Sequence, residues 1–274
     1  MSVDESHPAF PAYQTRPITR YQRESSWQVS DDDLIQETPV AIAFNDIAYT
    51  VMMCTPHDLE EFASGFALTE GIIDAFKDIH DIEITTQHNG ITVNVLIANR
   101  CVARLQQQRR SMAGMTGCGI CGTEKLDSVC RYHTPLATHS TFDIERLDQA
   151  LEQLQQHQTL NQRTGSTHAA AYLNQEGELE ALFEDVGRHI ALDKLVGWIL
   201  RHHKQGGAVL VTSRASFEMV QKVVASGIEF LFAVSAATSM AAELAEQLNV
   251  TLCGYCRRGR ANIYTHPERL QAKR

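Results

Sequence analysis

The sequence predicts an α/β protein in which a small α+β domain precedes a larger, layered α/β domain. At 274 residues the chain is long enough for two domains of ~150 residues each. The first half groups strand-like runs into hairpins, whereas the second half alternates strands with helices, a pattern typical of a sheet with crossover helices. We divide the chain into an N-terminal arm, the small domain, a loop rich in glycine and cysteine, and the α/β domain, which span residues 1–36, 37–112, 113–131 and 132–274.

The composition argues against several classes of protein. Hydrophobic residues make up 43% of the chain and charged residues 21%, as in ordinary globular proteins rather than disordered ones. The formal net charge of -9 does not provide the basic field that general nucleic-acid binding needs. Uncharged stretches such as residues 230–242 are shorter than the ~18 apolar residues of a spanning helix, and no signal peptide is visible. We therefore expect a cytoplasmic protein without nucleic-acid or membrane partners.

The arm shows no repeated pattern of apolar residues. It is polar and contains Pro8, Pro11 and Pro17. We therefore expect residues 1–36 to be largely irregular.

Two hairpins and two helices are predicted in the small domain. The turn-forming pairs Asn45-Asp46 and Asn89-Gly90 each separate two β-rich runs. A helix opens after Pro56 and Asp58 and ends at Gly71, and a short basic helix follows the second hairpin. The predicted elements are strands 40–44 and 47–53, helix 59–70, strands 81–87 and 91–97, and helix 102–112.

Strands and helices alternate through the α/β domain. A helix leads into a hairpin, and three strands then follow in alternation with three helices, which favours a layered sheet with crossover connections. The predicted elements are helix 142–157, strands 168–173 and 178–183, helix 187–202, strand 207–213, helix 217–226, strand 229–235, helix 240–247 and strand 250–255.

The clearest chemical motif is the pair Cys118 and Cys121 within a run of glycines. Such a Cys-x-x-Cys pair can form half of a zinc site, a redox dithiol or a sulfur relay. The glycines let backbone N–H groups approach a thiolate, and the nearby Arg109 and Arg110 favour the thiolate over the thiol. A dithiol function is therefore the favoured interpretation.

The other cysteines give weaker signals. The chain has seven cysteines and no export signal, which favours reduced thiols over a disulfide framework. Cys253 and Cys256 lie far from the first pair in the sequence, so a shared zinc site is a minor alternative, and Cys253 is expected to pack in a strand. Buried packing is also the expectation for the isolated Cys54, Cys101 and Cys130.

Hydroxyl and basic residues follow the predicted strand ends. Ligands of open α/β sheets bind beyond the carboxyl ends of the strands, and hydroxyls at helix N-termini and arginines suit phosphate groups. Ordinary helix caps explain the serines in 213–216 and 235–238 well, but they explain an arginine cluster poorly. We predict a site for a phosphorylated small molecule, formed by Ser213 and by Tyr255, Cys256, Arg257, Arg258, Gly259 and Arg260.

Two histidines belong to the same predicted crevice. His168 begins a strand and His189 begins a helix, and each is equally well explained as a satisfied core group. As a functional group, His168 would donate a hydrogen bond or a proton. Asp185 and Arg188 have ordinary roles open to them as a helix cap and as the partner of a carboxylate.

Six segments resemble the formate dehydrogenase accessory sulfurtransferase family, FdhD, and the resemblance extends from about residue 39 to residue 269. They occur in order and several are long. The segments are GMTGCGICG at 114–122, GSTHAAA at 165–171, FEDVGRHIALDKLVG at 183–197, SRASFEMVQK at 213–222, FAVSAATSMAAELAE at 232–246 and YCRRGRANIYTHPER at 255–269.

The resemblance implies a cytidine-deaminase-like α/β domain and a homodimeric sulfur carrier with no tightly bound metal of its own. Such a carrier takes persulfide sulfur from a cysteine desulfurase and passes it to molybdenum bis(molybdopterin guanine dinucleotide), which then enters a molybdenum-dependent formate dehydrogenase. Cys118 matches the sulfur-accepting cysteine and Cys121 its partner, while residues 255–260 match the loop that binds the cofactor. The family's usual Lys-Pro after the cysteine of this loop is replaced by Arg257-Arg258.

Two other functions stay open at this point. A zinc-dependent, deaminase-like hydrolase needs a glutamate two residues after its first ligand and a proline before its cysteine pair. Here Ala169-Ala170 follow His168, and Leu252 precedes Cys253. A non-catalytic chaperone would bind the cofactor without any sulfur chemistry.

Overall fold

A computed structural model describes residues 10–23, 26–113, 134–138 and 140–272. The described part is a mixed α/β fold, which confirms the predicted class. Within it, no helix is long and apolar enough to cross a membrane. The strands are β1 (Tyr13–Gln22), β2 (Ser26–Ile35), β3 (Thr38–Phe44), β4 (Ile47–Cys54), β5 (Ile79–Gln87), β6 (Gly90–Ile97), β7 (Phe142–Asp143), β8 (His168–Leu173), β9 (Leu179–Asp185), β10 (Ala208–Val211), β11 (Phe230–Ala233), β12 (Thr251–Arg257), β13 (Arg260–Ile263) and β14 (Leu270–Gln271). The helices are α1 (Leu59–Thr69), α2 (Asn99–Ala113), α3 (Arg146–His157), α4 (Thr159–Thr164), α5 (Arg188–Arg201), α6 (Phe217–Ala225) and α7 (Ser239–Gln247), with single 3₁₀ turns at Phe76–Asp78 and Pro267–Arg269.

The expectation of an irregular arm is wrong. β1 and β2 form a long antiparallel hairpin in which Tyr13 pairs with Ile35 and Gln22 with Ser26. Most of its side chains are exposed, Trp27 to 70%. Because no face of the hairpin is consistently buried, the strands lack the apolar alternation by which a sequence reveals a strand.

The small domain has the predicted arrangement of two hairpins and two helices. Its four strands pair in the order β4-β3-β6-β5, and α1 covers one face of the sheet. Asn45 and Asp46 have φ values of 48° and 62°, as a type I′ hairpin turn requires. In the second hairpin Gln87 pairs with Gly90, so the turn residues are His88-Asn89 rather than Asn89-Gly90.

The α/β domain is built on six strands in the order β13-β12-β11-β10-β8-β9. β10, β11 and β12 are parallel, as predicted from the crossover helices. Alternate residues of these strands face two separate cores, one shared with α5, α6 and α7 and the other with α3. β7, β13, β14 and α4 were not predicted from the sequence, and all four are short.

Two glycines let the domains approach closely. α1 of the small domain crosses α5 of the α/β domain. A Cβ atom at Gly65 would lie 1.8 Å from the carbonyl oxygen of Asp193, and one at Gly197 would lie 1.9 Å from that of Glu61. The two backbones are therefore in contact, and only glycine fits at both positions.

A buried ion pair of the α/β domain is hydrogen-bonded to the small domain near this crossing. Lys194 and Asp185 of the α/β domain are fully buried, with 2.8 Å between Nζ and Oδ2. Thr55 of the small domain donates its hydroxyl to Asp185 at 2.7 Å and accepts a bond from Lys194 at 2.7 Å. Each charge is thus paired and hydrogen-bonded, which burial demands.

A second cluster of the same composition lies at the same junction. Lys222 contacts both carboxylate oxygens of Asp193, at 2.7 and 2.8 Å, and Thr69 of the small domain donates to Asp193 at 2.7 Å. Two Lys-Asp-Thr clusters therefore connect the domains. We call them the junction clusters.

Candidate functional site

The carboxyl ends of β10, β11 and β12 form one edge of the six-stranded sheet. β8 runs antiparallel to β10, with Ala170 opposite Val211, so that His168 at its start lies at this edge. Asp185 at the end of β9 pairs with His168, and α5, α6 and α7 begin at the same edge. The fold thereby brings together the strand-end segments and the histidine that the sequence analysis selected.

Residues 255–260 form a β-hairpin rather than a loop. β12 continues to Arg257, which pairs with Arg260 of β13 across the turn Arg258-Gly259. The register shifts after Gly254, and Tyr255 has a φ of 51°. Such a bulge redirects side chains. We call residues 255–260 the arginine hairpin.

The arginine hairpin contacts α3 through one backbone bond and one exposed ion pair. The N–H group of Gly259 donates to the carboxylate of Asp148 at 2.9 Å. Arg258 lies 3.3 Å from Glu152, but their side chains are 83% and 55% exposed. A pair this exposed contributes little to stability, and its guanidinium is accessible to a second anion. Arg260 is exposed as well.

Arg257 and Tyr255 of the hairpin face different surroundings. Arg257 donates to the carbonyl groups of Val234 and Cys256, which ties the hairpin to the end of β11. Tyr255 is 47% exposed. Its ring therefore offers an aromatic surface beside the arginines, whereas Arg257 contributes to the local structure.

A cavity of about 430 Å³ lies between α3 and the strand ends, next to the arginine hairpin. Gln158, only 6% exposed, is one of the residues that line it. Among the described residues, none pairs with the amide nitrogen Nε2 of Gln158. The cavity is lined by Asp148, Leu151, Glu152, Leu154, Gln155, Gln158, Thr212, Val234, Cys256, Arg257 and Arg258. We call it the α3 cavity.

Ser213 and His168 differ in how accessible they are. Ser213 is 3% exposed and donates its hydroxyl to the carbonyl of Arg214 at 3.0 Å. His168 is half-buried, and burial, followed by the charge of Arg188, lowers its pKa. At neutral pH the imidazole is therefore uncharged, and it can donate through only one nitrogen.

The described cysteines are all buried. They are Cys54, Cys101, Cys253 and Cys256, and each is 0% exposed. Burial raises the pKa of every one of these thiols, that of Cys256 to about 12. This confirms the expectation that Cys54, Cys101 and Cys253 pack in the interior. A buried, protonated thiol is a poor nucleophile.

Three cysteines lie outside the described residues. They are Cys118, Cys121 and Cys130. The predicted loop at 113–131 falls almost entirely outside them too, as do Arg131 to His133.

A second cavity, of about 420 Å³, lies at the domain junction. Its lining includes His189 and Glu218, whose side chains approach to 2.8 Å, and the pair Lys222 and Asp193. Burial lowers the pKa of His189, although Glu218 raises it. His189 thus belongs to this junction cavity and not to the α3 cavity.

Within the described ranges, no group of three or more His, Cys, Asp or Glu side chains is placed to hold a metal ion.

Gln158 was not predicted as a site residue, although the sequence contains a signal for its burial. Leu147, Leu151 and Leu154 recur at helical spacing and form the apolar face of α3, and Gln158 occupies the next position of that series. A polar residue in such a series is buried with it. Its placement beside the arginine hairpin depends on how α3 packs on the sheet.

Comparisons with known proteins agree with this fold. The sequence model of the FdhD/NarQ family matches residues 35–271. The chain is also similar to a proposed formate dehydrogenase accessory protein from Desulfotalea psychrophila, whose crystal structure it matches with a TM-score of 0.76 and 27% sequence identity. That match covers 95% of this chain and 100% of the other. Most of the β1–β2 hairpin precedes the region that the family model matches.

Proposed function

The chain belongs to the FdhD/NarQ family, and on that basis we propose that it is a sulfur carrier acting in the maturation of formate dehydrogenase. Family membership and the similarity to the accessory protein both support a role in that maturation. The finer proposal is that Cys118 accepts persulfide sulfur from a cysteine desulfurase. The recipient is molybdenum bis(molybdopterin guanine dinucleotide), which the protein holds as a substrate.

The observation that carries the sulfur step is the burial of all four described cysteines. A sulfur acceptor must reach both a donor protein and a cofactor, and it must react as a thiolate. Cys54, Cys101, Cys253 and Cys256 meet neither condition. Of the remaining cysteines, Cys118 and Cys121 have the Cys-x-x-Cys spacing, with glycines around them.

The proposed chemistry takes place in two steps. First, the Cys118 thiolate attacks the terminal sulfur of the donor persulfide, so that a Cys118 persulfide forms and the donor leaves as a thiolate. Second, the Cys121 thiolate attacks the inner sulfur, Sγ of Cys118, which forms a disulfide and releases hydrosulfide to the molybdenum. A thiol reductant then returns the disulfide to two thiols before the next turnover.

The arginine hairpin supports the proposal that the nucleotide part of this substrate binds at the carboxyl edge. Arg258 and Arg260 are exposed and carry charge that phosphate groups can contact, and Tyr255 offers its ring beside them. His168 lies at the same edge and can donate one hydrogen bond. Ser213 is buried, and its hydroxyl already donates to the carbonyl of Arg214. Its role in the site would therefore be to fix the backbone at Arg214 rather than to contact the substrate.

The sulfur step is tested by intact-mass analysis of cysteine variants after incubation with a desulfurase and cysteine. We expect a Cys118→Ala variant to gain no sulfur and to leave formate dehydrogenase inactive. Cys130→Ala is the matched control, because Cys130 lies outside the Cys-x-x-Cys pair, and this variant should gain sulfur normally. A Cys118→Ala variant that still activates formate dehydrogenase would support the passive chaperone instead.

The role of Cys121 has a separate test. A Cys121→Ala variant should load sulfur on Cys118 but release it slowly. If this variant sulfurates the cofactor at the full rate, the second step is wrong.

Substitution of the arginines tests the nucleotide site. We predict that replacing Arg257 and Arg260 weakens guanine-nucleotide binding while Cys118 still loads with sulfur. Because Arg257 also holds two carbonyl groups, Arg260→Gln alone is the cleaner variant. Unchanged nucleotide affinity in both variants would refute the assignment.

Two further measurements test the remaining proposals. Light scattering on the purified chain should give the mass of a homodimer. Metal analysis separates the sulfur carrier from the hydrolase, since stoichiometric zinc together with deaminase turnover would overturn the sulfur-carrier proposal.

A further inference from the structure

We infer that the junction cavity binds a guanidinium or primary ammonium group that is carried on an aliphatic stem. The junction cavity shares no lining residue with the α3 cavity, so the inference does not depend on the proposed function. Three observations carry it. The lysine of the cavity is already fully paired, the polar groups that are still open accept hydrogen bonds, and the remaining walls are apolar and aromatic.

Lys222 is the only lysine or arginine among the described residues that line the cavity. Its ammonium group donates to both carboxylate oxygens of Asp193, at 2.7 and 2.8 Å, and to the hydroxyl of Thr69 at 3.1 Å. An ammonium group has three N–H donors, so these bonds use all of them. The hydroxyl of Thr69 donates in turn to Asp193. An anion in the cavity would therefore find no open donor on these side chains.

Glu218 carries a negative charge that its one neighbour does not neutralise. Its carboxylate lies 2.8 Å from Nε2 of His189, and within the described ranges this is its only ion contact. Burial lowers the pKa of His189, although Glu218 raises it, so the imidazole is uncharged at neutral pH. Because the side chain of Glu218 is 47% exposed, a cation that enters the cavity can reach it.

His189 and Gln221 each add an acceptor to the lining of the cavity. A lone pair on Nε2 of His189 would repel the carboxylate at 2.8 Å, so Nε2 carries the proton of the neutral ring and Nδ1 is left as an acceptor. Gln221 is only 8% exposed, and of its two amide atoms only Nε2 is closed to solvent without a partner among the described residues. The carbonyl oxygen Oε1, to which those residues supply no donor, is thus the atom that is open to the cavity. An acceptor in such a place favours a ligand that donates.

The charge and the walls of the cavity also favour an organic cation. Three carboxylates line it against one ammonium group. The carboxylates belong to Glu70, Asp193 and Glu218. The apolar part of the lining consists of Met52 and two aromatic side chains, Phe66 and Phe217. Aromatic rings attract cations, and apolar walls accommodate an aliphatic stem, so these side chains suit a charged group at the end of a carbon chain.

A guanidinium group satisfies this lining better than an ammonium group does. It is planar and presents five N–H donors, so two of them can contact the carboxylate of Glu218 while others are left for Oε1 of Gln221. It also stacks on aromatic rings. The cavity volume of about 420 Å³ admits either group with its stem. Two sources supply this chemistry, a free guanidino compound and an arginine side chain of a partner protein.

Nuclear magnetic resonance titration of the isotope-labelled full chain tests the inference, with butylguanidinium and butylammonium as the cations and butylurea as a neutral analogue. We expect butylguanidinium to bind at least ~10-fold more tightly than butylurea, because only the cation neutralises Glu218. Glu218→Gln should weaken this binding by ~10-fold, and Gln221→Leu should weaken it several-fold. Glu243→Gln is the matched control, because Glu243 is exposed on α7 and does not line the cavity. Since Glu218 is exposed, its variant keeps the test valid if Gln221→Leu fails to fold.

The same titration with the blocked peptide acetyl-Gly-Arg-Gly-amide separates the two sources. Binding of the peptide as tight as that of butylguanidinium would support an arginine side chain of a partner protein, whereas binding of the small cations alone would support a free guanidino compound. Equal affinity for butylguanidinium and butylurea, or no binding of either cation, would overturn the inference. An affinity for butylguanidinium that is unchanged in both Glu218→Gln and Gln221→Leu would overturn it as well. Sulfur loading on Cys118 is measured independently of all these results.

Discussion

The domain junction lies against one face of the six-stranded sheet, whereas the arginine hairpin belongs to the sheet itself and contacts α3 on the other face, and both regions contain paired charges. At the junction Lys194 and Asp185 are each 0% exposed, whereas the side chains of Arg258 and Glu152 at the hairpin are 83% and 55% exposed. Burial makes the first pair indispensable, because either charge alone would be buried without a partner. Because the second pair is exposed, its members can exchange partners with ions from solution. Paired charges thus serve stability at the junction, whereas at the hairpin we propose that they exchange with a ligand.

Breaking a junction cluster should have the largest effect. Lys194→Met leaves Asp185 buried without its cation, and we expect the free energy of unfolding to fall by about 3–5 kcal/mol. Lys204→Met is the matched control, because Lys204 and Glu180 form an ion pair with both side chains 32% exposed. The control should lose no more than about 1 kcal/mol. Chemical denaturation measures both, and equal losses would contradict the contrast between buried and exposed pairs.

The crossing of α1 and α5 should be the next most sensitive feature. Gly65→Ala places a methyl group 1.8 Å from a backbone oxygen of Asp193. The helices must separate, at a cost of about 1–3 kcal/mol or more. Gly165→Ala provides the comparison, since a Cβ there meets no atom within 4 Å and only its φ of 66° opposes the change. Thermal melts of the two variants should rank Gly65→Ala as the less stable, and the reverse order would argue against close backbone contact.

The free energy of unfolding should depend moderately on pH because of two partly buried histidines. Burial lowers the pKa of His168 and of His189 in the folded protein. As the pH falls below about 6.5, the unfolded chain therefore binds protons that the folded chain does not, and the free energy of unfolding decreases. For each histidine, the free energy of unfolding changes by at most about 1.4 kcal/mol per pH unit.

Denaturation curves between pH 7.5 and 5.5 check this dependence, where the range is set by the ordinary histidine pKa of about 6.5. His168→Gln should flatten the curve, while the exposed His88→Gln should not. A curve that is unchanged by His168→Gln would show that its surroundings tolerate the charged imidazole.

The smallest effect on stability is expected at the arginine hairpin. Arg258→Gln removes an exposed ion pair, and we predict a change within about 0.5 kcal/mol. The same substitution should weaken nucleotide binding several-fold, since the guanidinium would otherwise contact phosphate. Denaturation and nucleotide titration of one preparation measure the change in the free energy of unfolding and the change in nucleotide affinity together. A large loss of stability would place Arg258 with the structural pairs instead.

Local signals in the sequence were sufficient for most of the fold. The turn at Asn45-Asp46 and the alternation of strands and helices from β8 to β12 depend on residues that are close in the sequence. The predicted bounds of these elements agree with the structure to within a few residues. The β1–β2 hairpin was not predicted because most of its side chains are exposed and its strands therefore show no apolar pattern. The pairing that stabilises it joins residues far apart in the sequence. β13 was not predicted for a related reason, since four residues at a sheet edge bury little surface.

The candidate site was predictable in its place and less so in its details. The rule that ligands bind beyond strand ends selected residues 255–260, and His168 was assigned to the same crevice from the start of a predicted strand; the register does bring both to one edge. It could not show that Ser213 faces inwards, because orientation depends on the local turn. Gln158 and the junction clusters depend on contacts between elements distant in the chain, which no short window of sequence contains.

The central claim is that Cys118 carries sulfur while the buried cysteines do not, and mass mapping tests it most directly. The full chain is incubated with a cysteine desulfurase and cysteine, then digested without reductant. We predict the added mass of one sulfur atom on the peptide that contains Cys118 and Cys121, and none on the peptides that contain Cys54, Cys101, Cys253 or Cys256. Sulfur on any of these four buried cysteines, with none on the peptide of Cys118, would contradict the account.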